Sequence, residues 1–272
     1  MPKLTAHGAV MPAIGFGTSQ LSGNQAEIIA TALAVGYRHI DTAWKYGSET
    51  AVGQALRASR VARSDVFLTT KVSHEYLRAD DFARSVDESL KNLGVDYVDL
   101  LLVHWPNEAI PLAETMGALA IAKRRGLTRN IGVANFNTTL LGQAIALCPE
   151  PLSVLQAEYH PYLDQTRLLA ACRHHRLIFT AYCPLARGRL FKDATLGEIA
   201  RRRGRTIAQV ALRWLLQQNV AAIPRSSNPQ RIAENIDVLD FALTEREMNQ
   251  IFALKKPHGR IANPTGRVSG WD

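Results

Sequence analysis

No stretch of this 272-residue chain approaches the roughly 18 consecutive apolar residues that a membrane-spanning helix needs. The opening residues, MPKLTAHGAVMPAIGFGT, carry one lysine and no apolar run ahead of their proline and glycine residues. Neither a bilayer span nor a secretory signal is expected. Cysteine is scarce: Cys148, Cys172 and Cys183 form an odd set without Cys-x-x-Cys spacing. This pattern argues for reduced thiols in a cytoplasm, and no metal site is expected. The dinucleotide fingerprint G-x-G-x-x-G is missing as well. The nearest match, Gly15-Phe16-Gly17-Thr18-Ser19-Gln20, ends in Gln. An open doubly wound sheet that bound a dinucleotide would be expected to carry that fingerprint.

Acidic residues are in deficit, 24 against 32 Lys and Arg, for a formal charge of +8. Two basic runs, Lys123-Arg124-Arg125 and Arg201-Arg202-Arg203-Gly204-Arg205, read as helix C-termini, where cations suit the dipole. No aromatic residues interleave these arginines, as a single-strand binder would want, so no nucleic-acid partner is expected. A basic protein does attract anionic small molecules such as phosphates.

What is present is an alternation of short apolar, β-branched runs with amphipathic stretches of about 10–15 residues. Strands are predicted at Ala13–Phe16, His39–Thr42, Val66–Lys71, Val98–His104, Asn130–Val133, Val154–Ala157, Phe179–Ala181 and Ala221–Ile223. Helices are predicted at Gln25–Val35, Glu49–Ser59, Asp81–Leu93, Leu112–Arg125, Thr138–Leu147, Asp164–His175, Thr206–Gln217 and Pro229–Asp237. Strands alternating with helices pair in parallel through right-handed crossovers. Eight such units in this length predict a (β/α)8 TIM barrel. A hairpin over Lys3–Met11 precedes it. A further helix over Thr244–Leu254, opened by the capping-box pattern Thr244-Glu245-Arg246-Glu247, follows it. The tail from Lys255 to Asp272 reads as loop, and residues 1–272 read as one domain.

Barrel chemistry sits at the C-terminal ends of the strands. Polar residues at those ends make a short list: Asp41 with Tyr46 close behind, Lys71, His104-Trp105, Ala134-Asn135, Gln156 and Glu158, Tyr182, and Pro224-Arg225-Ser226. Each has an ordinary structural explanation when taken singly. Jointly, Asp41, Tyr46, Lys71 and His104 place an acid, a phenol, an ammonium and an imidazole on three neighbouring strands. A tyrosine is a weak acid near neutral pH, and a nearby ammonium such as Lys71 is expected to lower its pKa. Asp41 would hold Lys71 charged and oriented, and His104 would orient the substrate oxygen. A tuned phenol beside a carbonyl oxygen is a general acid for carbonyl reduction. Hydride must then come from a nicotinamide cofactor, since no side chain supplies it.

A second cluster supports this. In IPRSSNPQRIAEN (223–235), Asn228 fits a helix N-cap and Pro229 the first helical position. Arg225, Ser226 and Arg231 gather at that helix start, an arrangement suited to a cofactor phosphate.

These residues resemble the aldo-keto reductase superfamily, close to its bacterial and plant-like members related to 2,5-diketo-D-gluconate reductases. The resemblance runs through GFGT (15–18), YRHIDTAWKYGSE (37–49), LTTKV (68–72), DYVDLLLVHWP (96–106), IGVANF (131–136), QAEYHPYL (156–163), AYCPLARG (181–188), AQVALRW (208–214) and IPRSSNPQRIAEN. It implies a catalytic tetrad of Asp41, Tyr46, Lys71 and His104, with Tyr46 as the acid–base. It implies NADPH held without a Rossmann fold: Asn135 and Gln156 on the carboxamide and Tyr182 stacked on the nicotinamide. Arg225, Ser226 and Arg231 would hold the 2′-phosphate, with Glu234 and Asn235 near the adenine. Gly17, Thr18, Asp41, Cys183, Leu185 and Ser227 complete the implied cofactor contacts. Ser19, Trp44, Tyr46, His104, Trp105 and Trp271 are expected to form the substrate pocket. The resemblance further implies a small carbonyl substrate and a monomer.

Three positions depart from the family pattern. Ala134 stands where Ser is frequent, removing one carboxamide hydrogen bond. Cys183 replaces a Ser, and an exposed thiol there would respond to oxidants. Arg225 replaces a frequent Lys, keeping the charge but changing the fork, so some tolerance of NADH is expected. Two other activities compete: a Schiff-base lyase using Lys71, which would not need Arg225 and Arg231, and a sensor barrel that binds NADPH with little turnover.

Overall fold

The structure, a computed structural model, describes residues 1–264, 268 and 270–272. The chain opens with an antiparallel hairpin, β1 (Lys3–Ala6) and β2 (Ala9–Pro12), paired from Lys3↔Pro12 to Ala6↔Ala9. Eight parallel strands follow: β3 (Phe16–Gly17), β4 (His39–Asp41), β5 (Phe67–Val72), β6 (Val98–Val103), β7 (Thr128–Ala134), β8 (Val154–Glu158), β9 (Ile178–Tyr182) and β10 (Ala221–Ala222). Each pairs with its neighbour in chain order. An isolated parallel bridge, Ile14↔Ala222, joins the first to the last. The result is the expected (β/α)8 barrel.

The interior is set by the period of two along each strand. Phe67 on β5 joins Leu100 and Leu102 on β6, Val154 on β8 and Ile178 on β9 in one apolar cluster, which Met11, Ala6 and Ala9 of the hairpin extend at the base. Two and four residues beyond Phe67, on the same face, come Thr69 and Lys71. The same step leads from Val154 to Gln156 and Glu158, and from Ile178 to Thr180 and Tyr182. The lower barrel is therefore filled with hydrocarbon and its upper rim with polar groups.

Helices α1 (Gln25–Ala34), α2 (Glu49–Ala58), α3 (Ala79–Leu93), α4 (Leu112–Arg124), α5 (Thr138–Leu147) and α6 (Thr166–His174) form the outer layer with α7 (Ala194–Arg203), α8 (Ile207–Leu216), α9 (Pro229–Ile236) and α10 (Glu245–Phe252). α3 shows why they dock: Phe82, Val86, Leu90 and Leu93 recur at helical spacing and are all buried.

Two differences from the sequence reading have physical causes. Helix α7 is given no range in the sequence reading, which marks only its basic C-terminus at Arg201–Arg205, although signals for both of its ends are present. Asp193 caps its start by accepting the Leu196 N–H, and Gly204 ends it at φ 60°. The first strand was expected over Ala13–Phe16, but the ladder there is broken. Gly15 N–H donates to Ala222 O and Gly17 N–H to Pro224 O, whereas Pro224 has no N–H to return a bond. Helix α10 opens with the expected capping box. No helix or strand falls in the described part of the tail after Lys255.

Candidate active site

Asp41 ends β4 and Lys71 lies near the end of the adjacent β5. Both are buried, at 1% and 0% exposure. Lys71 Nζ donates to Asp41 Oδ1 at 2.5 Å and to Thr42 O at 2.8 Å. Gln156 Nε2, arriving from β8 across the barrel, donates to Asp41 Oδ2 at 2.7 Å. Both carboxylate oxygens are thus satisfied, as a buried charge requires. Beneath them Thr18 Oγ1 donates to Asp41 O at 3.1 Å and shares a 2.9 Å hydrogen bond with Ser48 Oγ, which also bonds Thr42 Oγ1.

Tyr46 closes a single 3-10 turn, Trp44–Tyr46, which Gly47 ends at φ 65°, a backbone conformation that glycine adopts freely. The phenol reaches His104 Nε2 at 3.5 Å, and the two rings meet edge to face. Lys71 Nζ lies 5.0 Å from the Tyr46 ring centroid. The four expected residues therefore converge.

Their electrostatics differ from expectation. Burial, then the charge of Asp41, pushes the Tyr46 phenol well above its ordinary value. Lys71 does not reverse this. Its own ammonium is penalised by burial and held by Asp41 at contact distance, so Tyr46 faces a nearly neutral pair. Tyr46 keeps its proton across the neutral range, which is the form an acid needs.

From Tyr46 and His104 a cavity of about 1060 Å³ runs past Asn135, Gln156 and Tyr182 to Arg225, Arg231 and Asn235. Gly17, Ser19, Trp105, Cys183, Leu185, Ser226, Ser227 and Glu234 also face it. Asn135, at φ 64°, donates through Nδ2 to His104 O at 2.8 Å and accepts the Tyr182 hydroxyl at 2.6 Å. The Tyr182 ring is thereby fixed as a platform. At the far end Asn228 Oδ1 caps α9 by accepting the Arg231 N–H. Neither Arg225 nor Arg231 has a carboxylate partner among the described residues. Arg225 instead donates to Gln20 O, and Ser22 N–H donates to Ser227 Oγ, tying the loops on either side of the cleft together.

Three expected residues stand elsewhere. Thr18 is fully buried beneath Asp41 rather than in the cavity. Trp44 packs edge-on against Tyr76, ring centroids 5.0 Å apart, and does not line the cavity. Trp271 stands behind Trp105, centroids 6.2 Å apart. Cys183 faces the cleft, but burial raises its thiol above the ordinary range, so it is not primed for oxidation. The sequence reading missed Gln20, Arg187 and Phe191 in the cleft wall. Arg187 and Gly188 take left-handed conformations, φ 51° and 89°, in the segment before α7. Recognising α7 would have exposed that segment as a folded wall rather than a plain connection.

The donor set suits a nicotinamide dinucleotide. It offers two guanidinium groups without a carboxylate partner among the described residues, beside a capped helix N-terminus, a fixed aromatic platform, and two side-chain amides with bonding capacity remaining. Comparison with known proteins agrees. The family described as "Aldo/keto reductase family" matches residues 13–256. The chain is 38% identical over 266 residues to methylglyoxal reductase DkgB of Salmonella typhimurium, covering 96% of this chain and 99% of that protein. A crystal structure provisionally named a 2,5-diketo-D-gluconic acid reductase B matches with a TM-score of 0.97 at 46% identity, over 100% of this chain and 98% of that one. Another, of an aldo-keto reductase complexed with NADPH, matches with a TM-score of 0.88 at 31% identity, over 93% and 88%. The chain belongs to the aldo/keto reductase family.

Proposed function

From that membership, we propose that the protein reduces aldehydes and ketones to alcohols, using NADPH, with Tyr46 as the general acid. Dicarbonyls, keto esters and keto sugars are the substrate classes this reading covers. The observation that carries it is the Tyr46 phenol 3.5 Å from His104 Nε2, backed by a buried Lys71–Asp41–Gln156 chain, at one end of a cavity whose other end holds the Arg225 and Arg231 guanidinium groups, which have no carboxylate partner among the described residues. The reading extends to one domain over residues 1–272, since the cavity draws on residues from Gly17 to Ala262.

Bound NADPH would supply hydride to the carbonyl carbon. The protein's own part is to hold and discharge the oxygen. Tyr46 Oη and His104 Nε2 together grip the carbonyl oxygen, orienting the carbon toward the cleft. As negative charge grows on that oxygen, it becomes more basic than a phenolate, and Tyr46 transfers its proton. The phenolate left behind lies near the Lys71 ammonium, whose field Asp41 largely offsets, and solvent restores the proton.

The amides divide their bonds. Gln156 gives its N–H to Asp41, which leaves Oε1 to accept from the carboxamide. Asn135 gives one N–H to His104 O, which leaves the second for the carboxamide oxygen. Tyr182 offers its face to the nicotinamide. Arg225, Ser226 and Arg231 take the 2′-phosphate, favouring NADPH over NADH. The assay is NADPH oxidation with a panel of aldehydes and dicarbonyls, with NADH in parallel. Turnover of some carbonyls, faster with NADPH, supports the proposal. Tight NADPH binding without turnover of any carbonyl would leave a binding barrel.

A further inference from the structure

Trp44 lies outside the cavity, yet it stands two residues before Tyr46, and its surroundings bear on where that phenol sits. The loop between β4 and α2 is fixed at both ends. At its start Thr42 N–H donates to Thr69 O at 2.9 Å, and Thr42 O accepts from Lys71 Nζ. At its finish the buried Ser48 hydroxyl bonds those of Thr18 and Thr42, which are buried as well. Thr18 gives its single hydroxyl proton to Asp41 O, so Ser48 donates to Thr18 and Thr42 donates to Ser48. Between these fixed points the chain makes the 3-10 turn Trp44–Tyr46. Tyr46 N–H donates to Ala43 O at 3.0 Å and Gly47 N–H to Trp44 O at 3.2 Å, both local to the turn. Among the described residues no side chain caps its start.

Three residues per turn send successive side chains out about 120° apart. Tyr46 enters the cavity, while Trp44 and Lys45 both reach a second 3-10 turn, His74–Tyr76, which follows β5. Trp44 meets Tyr76 edge to face, ring centroids 5.0 Å apart at 87°. Lys45 Nζ meets both oxygens of Glu75, at 3.1 and 2.9 Å. These two contacts are not equal in strength. Lys45 and Glu75 are exposed, so water and salt screen the pair and it holds little. Trp44 and Tyr76 are partly buried, and an edge-to-face pair attracts beyond the area it covers. The turn they lean on is itself anchored. Ser73 Oγ donates to Glu75 Oε2 at 2.8 Å, Asn107 Nδ2 to His74 O at 2.9 Å from the loop after β6, and Thr115 Oγ1 to Leu77 O at 3.2 Å from α4. Tyr76 also packs against the main core.

We propose that Trp44 and Tyr76 are positioning residues for Tyr46: their ring contact holds the turn so that the phenol stands opposite His104 Nε2 before any ligand arrives. Neither lines the cavity. They act through the backbone of the turn, and the 3.5 Å between Tyr46 Oη and His104 Nε2 is the quantity they set. Their role in catalysis rests on the carbonyl-reductase reading and deepens it.

The test follows NADPH oxidation in a single turnover with an accepted aldehyde, because product release can mask the chemical step in kcat. The wild type is compared with Trp44→Ala, Trp44→Phe and Tyr76→Leu. Since small misplacements of a reacting group are costly, Trp44→Ala should lower the single-turnover rate by about tenfold or more and leave NADPH affinity nearly unchanged. Trp44→Phe keeps a ring for Tyr76 and should recover most of the rate. Tyr76→Leu removes the same contact from the other side and should reproduce the loss, and it carries the test if Trp44→Ala does not fold. A merely structural role would lower melting temperature and NADPH affinity together and leave the rate per folded molecule intact. That result, or a full rate in Tyr76→Leu, would overturn the proposal. If the wild type reduces no carbonyl, the reductase reading fails, and crystal structures of the wild type and Tyr76→Leu still decide the positioning. Tyr46 Oη should shift relative to His104 Nε2 in the variant, and an unchanged separation would overturn the assignment.

Discussion

The two ends of the cavity are built on opposite plans. At the reacting end, Lys71, Asp41 and Gln156 are buried and satisfy one another before any ligand arrives. At the other end, where we propose the cofactor phosphate binds, Arg225 and Arg231 are exposed and lack a carboxylate partner among the described residues. The first arrangement fixes geometry where an ångström matters to rate. The second leaves charge available where strength of binding matters more than angle. It follows that damage to the first end should register in stability and kcat together, and damage to the second in cofactor affinity alone.

The largest expected effect breaks the buried pair. Lys71→Met leaves Asp41 buried without its cation, which should destabilise the fold by about 3–5 kcal/mol. Denaturant melts would show this alongside lost reduction, and the double change Lys71→Met with Asp41→Asn should recover part of the stability. A single substitution with unchanged stability would erase the contrast between the ends.

Next comes acid sensitivity beneath the same pair. His39 is buried two residues before Asp41, and burial lowers its pKa to about 4, partly opposed by the charge of Asp41. Between that value and about 6.5 the unfolded chain binds a proton that the folded chain does not, so stability falls with falling pH and levels off below about 4. The loss from about pH 7 to about pH 5 should be about 2 kcal/mol, and His39→Gln should remove it from the pH profile. An identical slope in both proteins would show that other groups dominate.

The smallest effect sharpens the comparison from the exposed end. Arg231→Ala should weaken NADPH by about tenfold, through one lost charge-assisted contact, and leave NADH, kcat and stability nearly unchanged. Equal losses for both cofactors would remove the 2′-phosphate assignment.

Legibility in the sequence follows the same division. Asp41, Lys71, His104 and Gln156 could be read because each is a polar residue at the end of an apolar strand, and strand ends point to the active face of a barrel. Arg231 could be read because Asn228-Pro229 announces a helix start. Trp44, expected in the substrate pocket, packs on Tyr76 instead, since the turn that carries it decides which way it faces. The acidity of Tyr46 was misjudged because a charge that is itself paired exerts little net field, and pairing is a fact of three dimensions.

The most direct test of the account is Tyr46→Phe, which removes the transferable proton and little else. NADPH oxidation with an accepted aldehyde and NADPH binding would be measured on the same preparation. The account predicts a fall in kcat of about a hundredfold or more with cofactor affinity nearly unchanged. Retained turnover with intact binding would contradict it, because some other group would then be protonating the substrate oxygen.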